Sequence, residues 1–89
     1  MIYITAVHME GGSGHEHIAS VRWTNSATNS SDTSTREQMV TWLRSNPHGA
    51  RVSDGYREVE VGVVNATRPY IRTVADGVWT DNLLALPRY

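Results

Sequence analysis

Three of the four histidines stand close together in the chain, at His8, His15 and His17. Imidazole is a common zinc ligand, and two imidazoles two residues apart on a strand point the same way. His15-Glu16-His17, completed by His8, is therefore a candidate divalent-metal site. It is not the His-Glu-x-x-His helix of zinc proteases. The plainer role is structural, a half-buried sheet histidine or a surface loop histidine. Between these residues, Gly11-Gly12-Ser13-Gly14 could turn backbone N–H groups onto an anion or small ligand. The glycines lead into a strand and no lysine follows, so a hairpin loop is the simpler expectation. Further on, Arg72, Asp76, Asp81 and Asn82 make a polar cluster. Paired carboxylates can exchange protons with a substrate, but Asp76 also suits a turn, Asp81 or Asn82 a cap, and Arg72 a carboxylate partner. No Ser-His-Asp order with a nucleophile elbow is present.

Aromatic residues offer two other chemistries. Arg22, Arg51, Arg57, Arg68 and Arg72, interleaved with Trp23 and Tyr70, could stack single-stranded bases. Trp42, Trp79 and Tyr89 could instead form an interface for a protein partner or a second copy, because aromatic side chains anchor such interfaces. Charge favours the second. The chain has 8 basic and 9 acidic residues, net -1, whereas a general nucleic-acid binder carries a basic surplus. All the basic residues are arginine. That removes lysine Schiff-base, lysine general-base and phosphate-loop lysine chemistry, and it fits GC-rich coding, as in an actinobacterium or one of its phages. Cysteine is absent, so disulfides and thiolate metal sites are excluded. No cofactor is expected beyond the metal that the histidines could hold. Met1 to His8 has no basic leader segment, and no apolar stretch approaches the roughly 20 residues of a membrane span. A cytoplasmic location is expected.

These side chains must be positioned by one small domain over residues 1–89. A chain of this size buries only about 60–65% of its unfolded surface, so its core is thin. Residues 2–9 and 15–24 alternate as two strands of a hairpin. A shared apolar face pairs Ile4 near Val21 or near Ala19. Either register gathers the three imidazoles at the loop end of one sheet face. Residues 24–35 are small and polar and read as a loop. Ser34-Thr35-Arg36-Glu37 fits a capping box with Ser34 as the cap. Met39, Val40 and Leu43 form the apolar stripe of a helix of about 11 residues, with Trp42 at its edge. Asn46-Pro47 stops that helix. Ala50–Ser53, a turn at Asp54-Gly55, residues 56–64, a turn before Tyr70, residues 70–74, a turn at Asp76-Gly77 and Val78–Thr80 complete a meander. Leu83, Leu84 and Leu86 give an apolar tail. The expected class is α+β, an antiparallel sheet of four to five strands with one helix on one face, in the order β-β-α-β-β-β.

Two blocks carry a resemblance. The stretch from Ile2 to Trp23 is one. Tyr70-Ile71-Arg72-Thr73 with Asp81-Asn82-Leu83-Leu84-Ala85-Leu86-Pro87 is the other. Together they resemble the small bacterial and phage family catalogued as domain of unknown function 3892. The resemblance implies a compact single-domain protein, often encoded by phages or mobile regions, and brings no catalytic residues with it. The functional expectation is a small non-enzymatic interaction module that binds a protein partner, with self-association as a homodimer as one form of this. The alternatives are a small-ligand or divalent-metal binder using His8, His15, His17 and Gly11 to Gly14, and a single-stranded nucleic-acid binder.

Overall fold

The computed structural model describes residues 1–89. The chain forms β1 (Ile2–Met9), a single 3-10 turn (His15–His17), β2 (Ile18–Asn25), β3 (Ser30–Thr35), α1 (Arg36–Ser45), β4 (Ala50–Ser53), β5 (Glu58–Val64), β6 (Tyr70–Ala75) and β7 (Val78–Thr80). All the strands belong to one 7-stranded sheet in the order β3-β2-β1-β4-β5-β6-β7. The class is α+β with one helix, but the expected four to five strands understate the sheet.

The principal correction is β3. Ser30 to Thr35 is a strand paired along β2, from Ser20 opposite Thr35 to Asn25 opposite Ser30, not part of a polar loop over residues 24–35. The turn before it closes with Asn29 in the left-handed region, φ 56°, a conformation asparagine tolerates. One added strand reverses the direction of everything that follows. The chain runs up β1, down β2 and up β3, returns through α1, and enters β4 parallel to β1. Ile2 accordingly lies beside Ala50 and Tyr3 beside Arg51 in a parallel pair. The other strand pairs are antiparallel, so the sheet is mixed.

The second correction concerns register. Ile4 pairs with Trp23, not with Val21 or Ala19, and Val7 pairs with Val21. Thr5 is an extra residue on β1 and Ala19 an extra residue on β2, so the ladder carries two bulges. A bulge shifts the side-chain alternation by one. Ile2, Ile4, Val7 and Met9 therefore share the face that carries Ile18, Val21 and Trp23, while His8 turns to the other face with Ser20 and Arg22. The Val7 and Val21 side chains have no exposed surface, and Ile4 is almost as buried.

The helix begins at a capping box one residue later than expected. Thr35 Oγ1 accepts from the Gln38 N–H at 3.1 Å, and the Thr35 N–H donates to Gln38 Oε1 at 2.9 Å. Met39, Val40 and Leu43 are buried on its inner stripe. They join Ile4, Val7, Ile18, Val21, Val61, Ile71 and Leu83 in one core. Beyond β7 the chain returns to β1. Leu83 is completely buried. The Val7 N–H donates to the Pro87 carbonyl at 3.0 Å, and the Tyr89 N–H donates to the Val7 carbonyl at 3.2 Å. Since β4 covers only Ile2 and Tyr3 of β1, this C-terminal segment supplies partners further along the same edge.

Candidate functional site

The recess with the most apolar lining lies where α1 crosses the β3 side of the sheet. It is a groove of about 320 Å³ lined by Ile2, Trp23, Ser34, Gln38, Met39 and Trp42. Local chemistry fixes each wall. Trp23 shares the core face with Val21 by strand alternation, the Thr5 bulge sets Ile4 opposite it, and its indole N–H donates to Ser34 Oγ at 2.9 Å. Gln38 is held by the capping box. Met39 is buried. Trp42 follows Gln38 and Met39 by one helical turn, so the three share a side of α1. The Trp42 indole rests on Gly49, where an added Cβ would sit 2.6 Å from its Cη2 atom. Trp42 nonetheless remains 36% exposed. The groove thus has a buried apolar floor and one half-open aromatic wall.

The second site is a polar junction between the 3-10 turn, β6 and the C-terminal segment. Arg72 Nε donates to the Thr80 carbonyl at 3.1 Å and Nη2 donates to Asp81 Oδ1 at 2.9 Å. The Thr73 hydroxyl accepts from the Asn82 N–H at 3.1 Å, and Thr80 Oγ1 donates to Asn82 Oδ1 at 2.7 Å. His15 is buried against this network. Its Nε2 lies 3.8 Å from Asp81 Oδ1 and has no hydrogen-bond partner. Burial, with the Arg72 charge second, holds the His15 pKa below the ordinary histidine value, against the opposing pull of Asp81 and Glu16. Asp76 stands apart in the β6–β7 turn, in the left-handed region at φ 52°. His15 itself lines none of the larger recesses, although its neighbours Glu16 and His17 line a small one with Arg36 and Arg68.

The three histidines do not share a site. His8 Nδ1 donates to the Tyr89 carbonyl at 2.6 Å, His17 Nδ1 donates to the Glu10 carbonyl at 3.2 Å, and His15 faces Asp81. No group of three or more His, Asp or Glu side chains is arranged to hold a metal ion. The reason is the pair of bulges together with the 3-10 turn, which takes His15 and His17 out of the strand alternation that would have aligned them. Gly11, Gly12, Ser13 and Gly14 form the turn beside them. Gly12 packs against the His17 ring, where a Cβ would approach within 2.5 Å, so the loop is filled by its own histidine.

The arginines are dispersed among partners. Arg22 lies 4.7 Å over the Tyr89 ring, Arg68 pairs with Glu37 at 3.1 Å, and Arg72 pairs with Asp81. Arg51 lies on β4 and Arg57 in the turn before β5. Trp23 is committed to the core side and Tyr70 is half-buried. The exposed aromatics also separate. Trp42 is on the helix, Trp79 lies over Gly62 on the opposite sheet face, and Tyr89 packs on His8, Ser20 and Arg22.

Sequence reasoning overlooked Arg36. It is 4% exposed, with Nη1 donating to the Glu16 carbonyl and Nε to Glu37 at 3.4 Å. The signal was available, because Arg36 lies three and four residues before Met39 and Val40 and so falls on the buried stripe.

The fold and sites describe a single-helix α+β protein with a mixed sheet, an aromatic groove and a tail that completes the sheet. A family model matches residues 3–87, and the chain belongs to that family, described as protein of unknown function (DUF3892). No curated protein and no solved structure matches the chain.

Proposed function

We propose that the protein is a small non-catalytic module that binds a protein partner at the groove between α1 and the β3 side of the sheet. The half-open Trp42 wall carries this reading. A partially exposed tryptophan beside a buried apolar floor is an arrangement that anchors protein interfaces, and the adjoining edge strand β3 offers unpaired backbone groups to an incoming chain. An apolar side chain of the partner enters between Trp23 and Trp42, and its backbone lies along β3. Small apolar ligands use pockets of similar size, so the test separates the two.

A partner captured on the immobilised protein is identified and titrated against it by calorimetry. Trp42→Ala, shown to be folded by circular dichroism, should weaken that binding by about 2 kcal/mol or more, roughly thirtyfold. Binding that is indifferent to Trp42→Ala sinks the reading. Thermal stabilisation by a small compound or divalent metal, lost in Trp42→Ala, in place of any protein partner would transfer the site to a ligand.

A further inference from the structure

His15 is the one buried side-chain polar group whose nitrogen lacks a partner. The imidazole sits where the 3-10 turn, β6 and the C-terminal segment meet. Arg72 faces it from β6 and Asp81 from the C-terminal segment. Glu16 belongs to its own turn, and Arg36 of α1 donates to the Glu16 carbonyl. At 3.8 Å, Asp81 Oδ1 is too far to accept a hydrogen bond from Nε2. That oxygen already receives Arg72 Nη2 at 2.9 Å. The neutral ring is accommodated without a partner. A protonated ring would place a second positive charge beside a guanidinium that does not titrate, in a position where its own side chain is only 8% exposed.

We propose that His15 is an acid-sensitive latch: its protonation loosens the C-terminal segment, Asp81 to Tyr89, from β6 and β1 while β4 and β5 stay paired. An imidazolium gains a partner by drawing Asp81 toward it and away from Arg72, or regains water by leaving the junction. The first movement breaks the Arg72–Asp81 pair that begins the segment, and the second withdraws the buried ring packed beside that pair. After that point the segment is tied by the Asn82 N–H to Thr73 Oγ1, the burial of Leu83, and two backbone hydrogen bonds to Val7. Opening would free the β1 edge at Val7 as a strand-pairing surface.

The direction follows from proton linkage. Burial and Arg72 depress the folded pKa of His15. The contribution to closure is therefore fully present above the unfolded histidine value of about 6.5, and is lost as pH falls through the lower folded value. Each unit of depression makes the open state about tenfold easier to reach once the ring is protonated.

Amide hydrogen exchange between pH 7.5 and 5.0, corrected for intrinsic rates and run with a chelator present, tests the latch. Protection of Tyr89 and of Leu84 to Leu86 should fall by about tenfold or more at the lower pH. The β4–β5 amides should change little. The His15 ring, followed by NMR in the unaltered protein, should titrate below 6.5 with the same midpoint as the lost protection, which keeps the test open if His15→Gln does not fold. A folded His15→Gln should remove the pH response, and His8→Gln, which alters the histidine that touches Tyr89, should keep it. Protection that does not vary with pH, a ring that titrates at or above 6.5, or a response abolished by His8→Gln and not by His15→Gln would overturn the proposal.

Discussion

Gly49 shows how a single hydrogen atom in place of a methyl group shapes the groove. An added Cβ would lie 2.6 Å from Trp42 Cη2 and 2.9 Å from the Asn46 carbonyl oxygen. The indole could swing, but the helix-end carbonyl cannot do so without disturbing the Asn46 and Gly49 backbone hydrogen bonds. Gly49→Ala is expected to destabilise the fold by about 1–3 kcal/mol through overpacking and to change the tryptophan emission. Urea unfolding followed by fluorescence checks both; an unchanged midpoint would show that the contact relaxes freely. Nothing in the residue's type announces this role. His48-Gly49 after a proline reads as a helix exit, and the indole that lies on Gly49 arrives from the preceding helix only once the chain has turned back. The buried Arg36 is the converse case, because its position on the apolar stripe is readable from spacing alone.

At the scale of elements, the start of α1 separates two adjacent hydroxyls. Thr35 caps the helix, whereas Ser34 accepts the Trp23 indole N–H. Thr35→Ala should cost about 1 kcal/mol of stability. Ser34→Ala should leave the helix cap intact and instead free the Trp23 indole, visible as a shift of its N–H resonance. Thermal unfolding of the two variants, together with NMR, distinguishes them; equal loss in both would contradict the assignment. The helix itself is legible in the sequence, since Met39, Val40 and Leu43 repeat at helical spacing and Asn46-Pro47 ends it. β3 is not legible. Its residues are all Ser, Thr or Asp, and only Ser34 among them is not fully exposed, so no alternation of polar and apolar residues marks it. An edge strand exposed on both faces leaves no periodic trace, and its partner β2 supplies the order. The bulges at Thr5 and Ala19 are hidden for a related reason, since each is defined by what lies opposite.

For the molecule as a whole, the C-terminal segment decides whether the sheet is complete. Leu83 has no exposed surface, and its neighbours Leu84 and Leu86 pack against the same core. Leu83→Ala is expected to lower stability by about 2–5 kcal/mol, measured by denaturant unfolding, with faster exchange at Val7 and Tyr89. A loss well under 1 kcal/mol would mean that the segment is an appendage. No helix is long and apolar enough to cross a membrane.

Sequence alone determined the elements whose information is local. The capping region, the apolar stripe of α1, the turns at Asp54-Gly55 and Asp76-Gly77, and the Val59, Val61 and Val63 alternation depend on backbone preference and burial within a few residues. The family blocks at both ends are likewise visible in order of residues. Tertiary structure decided what depends on distant partners. It turned the polar stretch into β3 and thereby made the β1–β4 pair parallel. It shifted the hairpin register through two bulges and so dispersed the histidines. It brought Ile2, Trp23 and Trp42 to one groove, and set His15 against Arg72 and Asp81. Each of these is a pairing between segments far apart in the chain, and the free energy that selects it lies in contacts that no single segment contains.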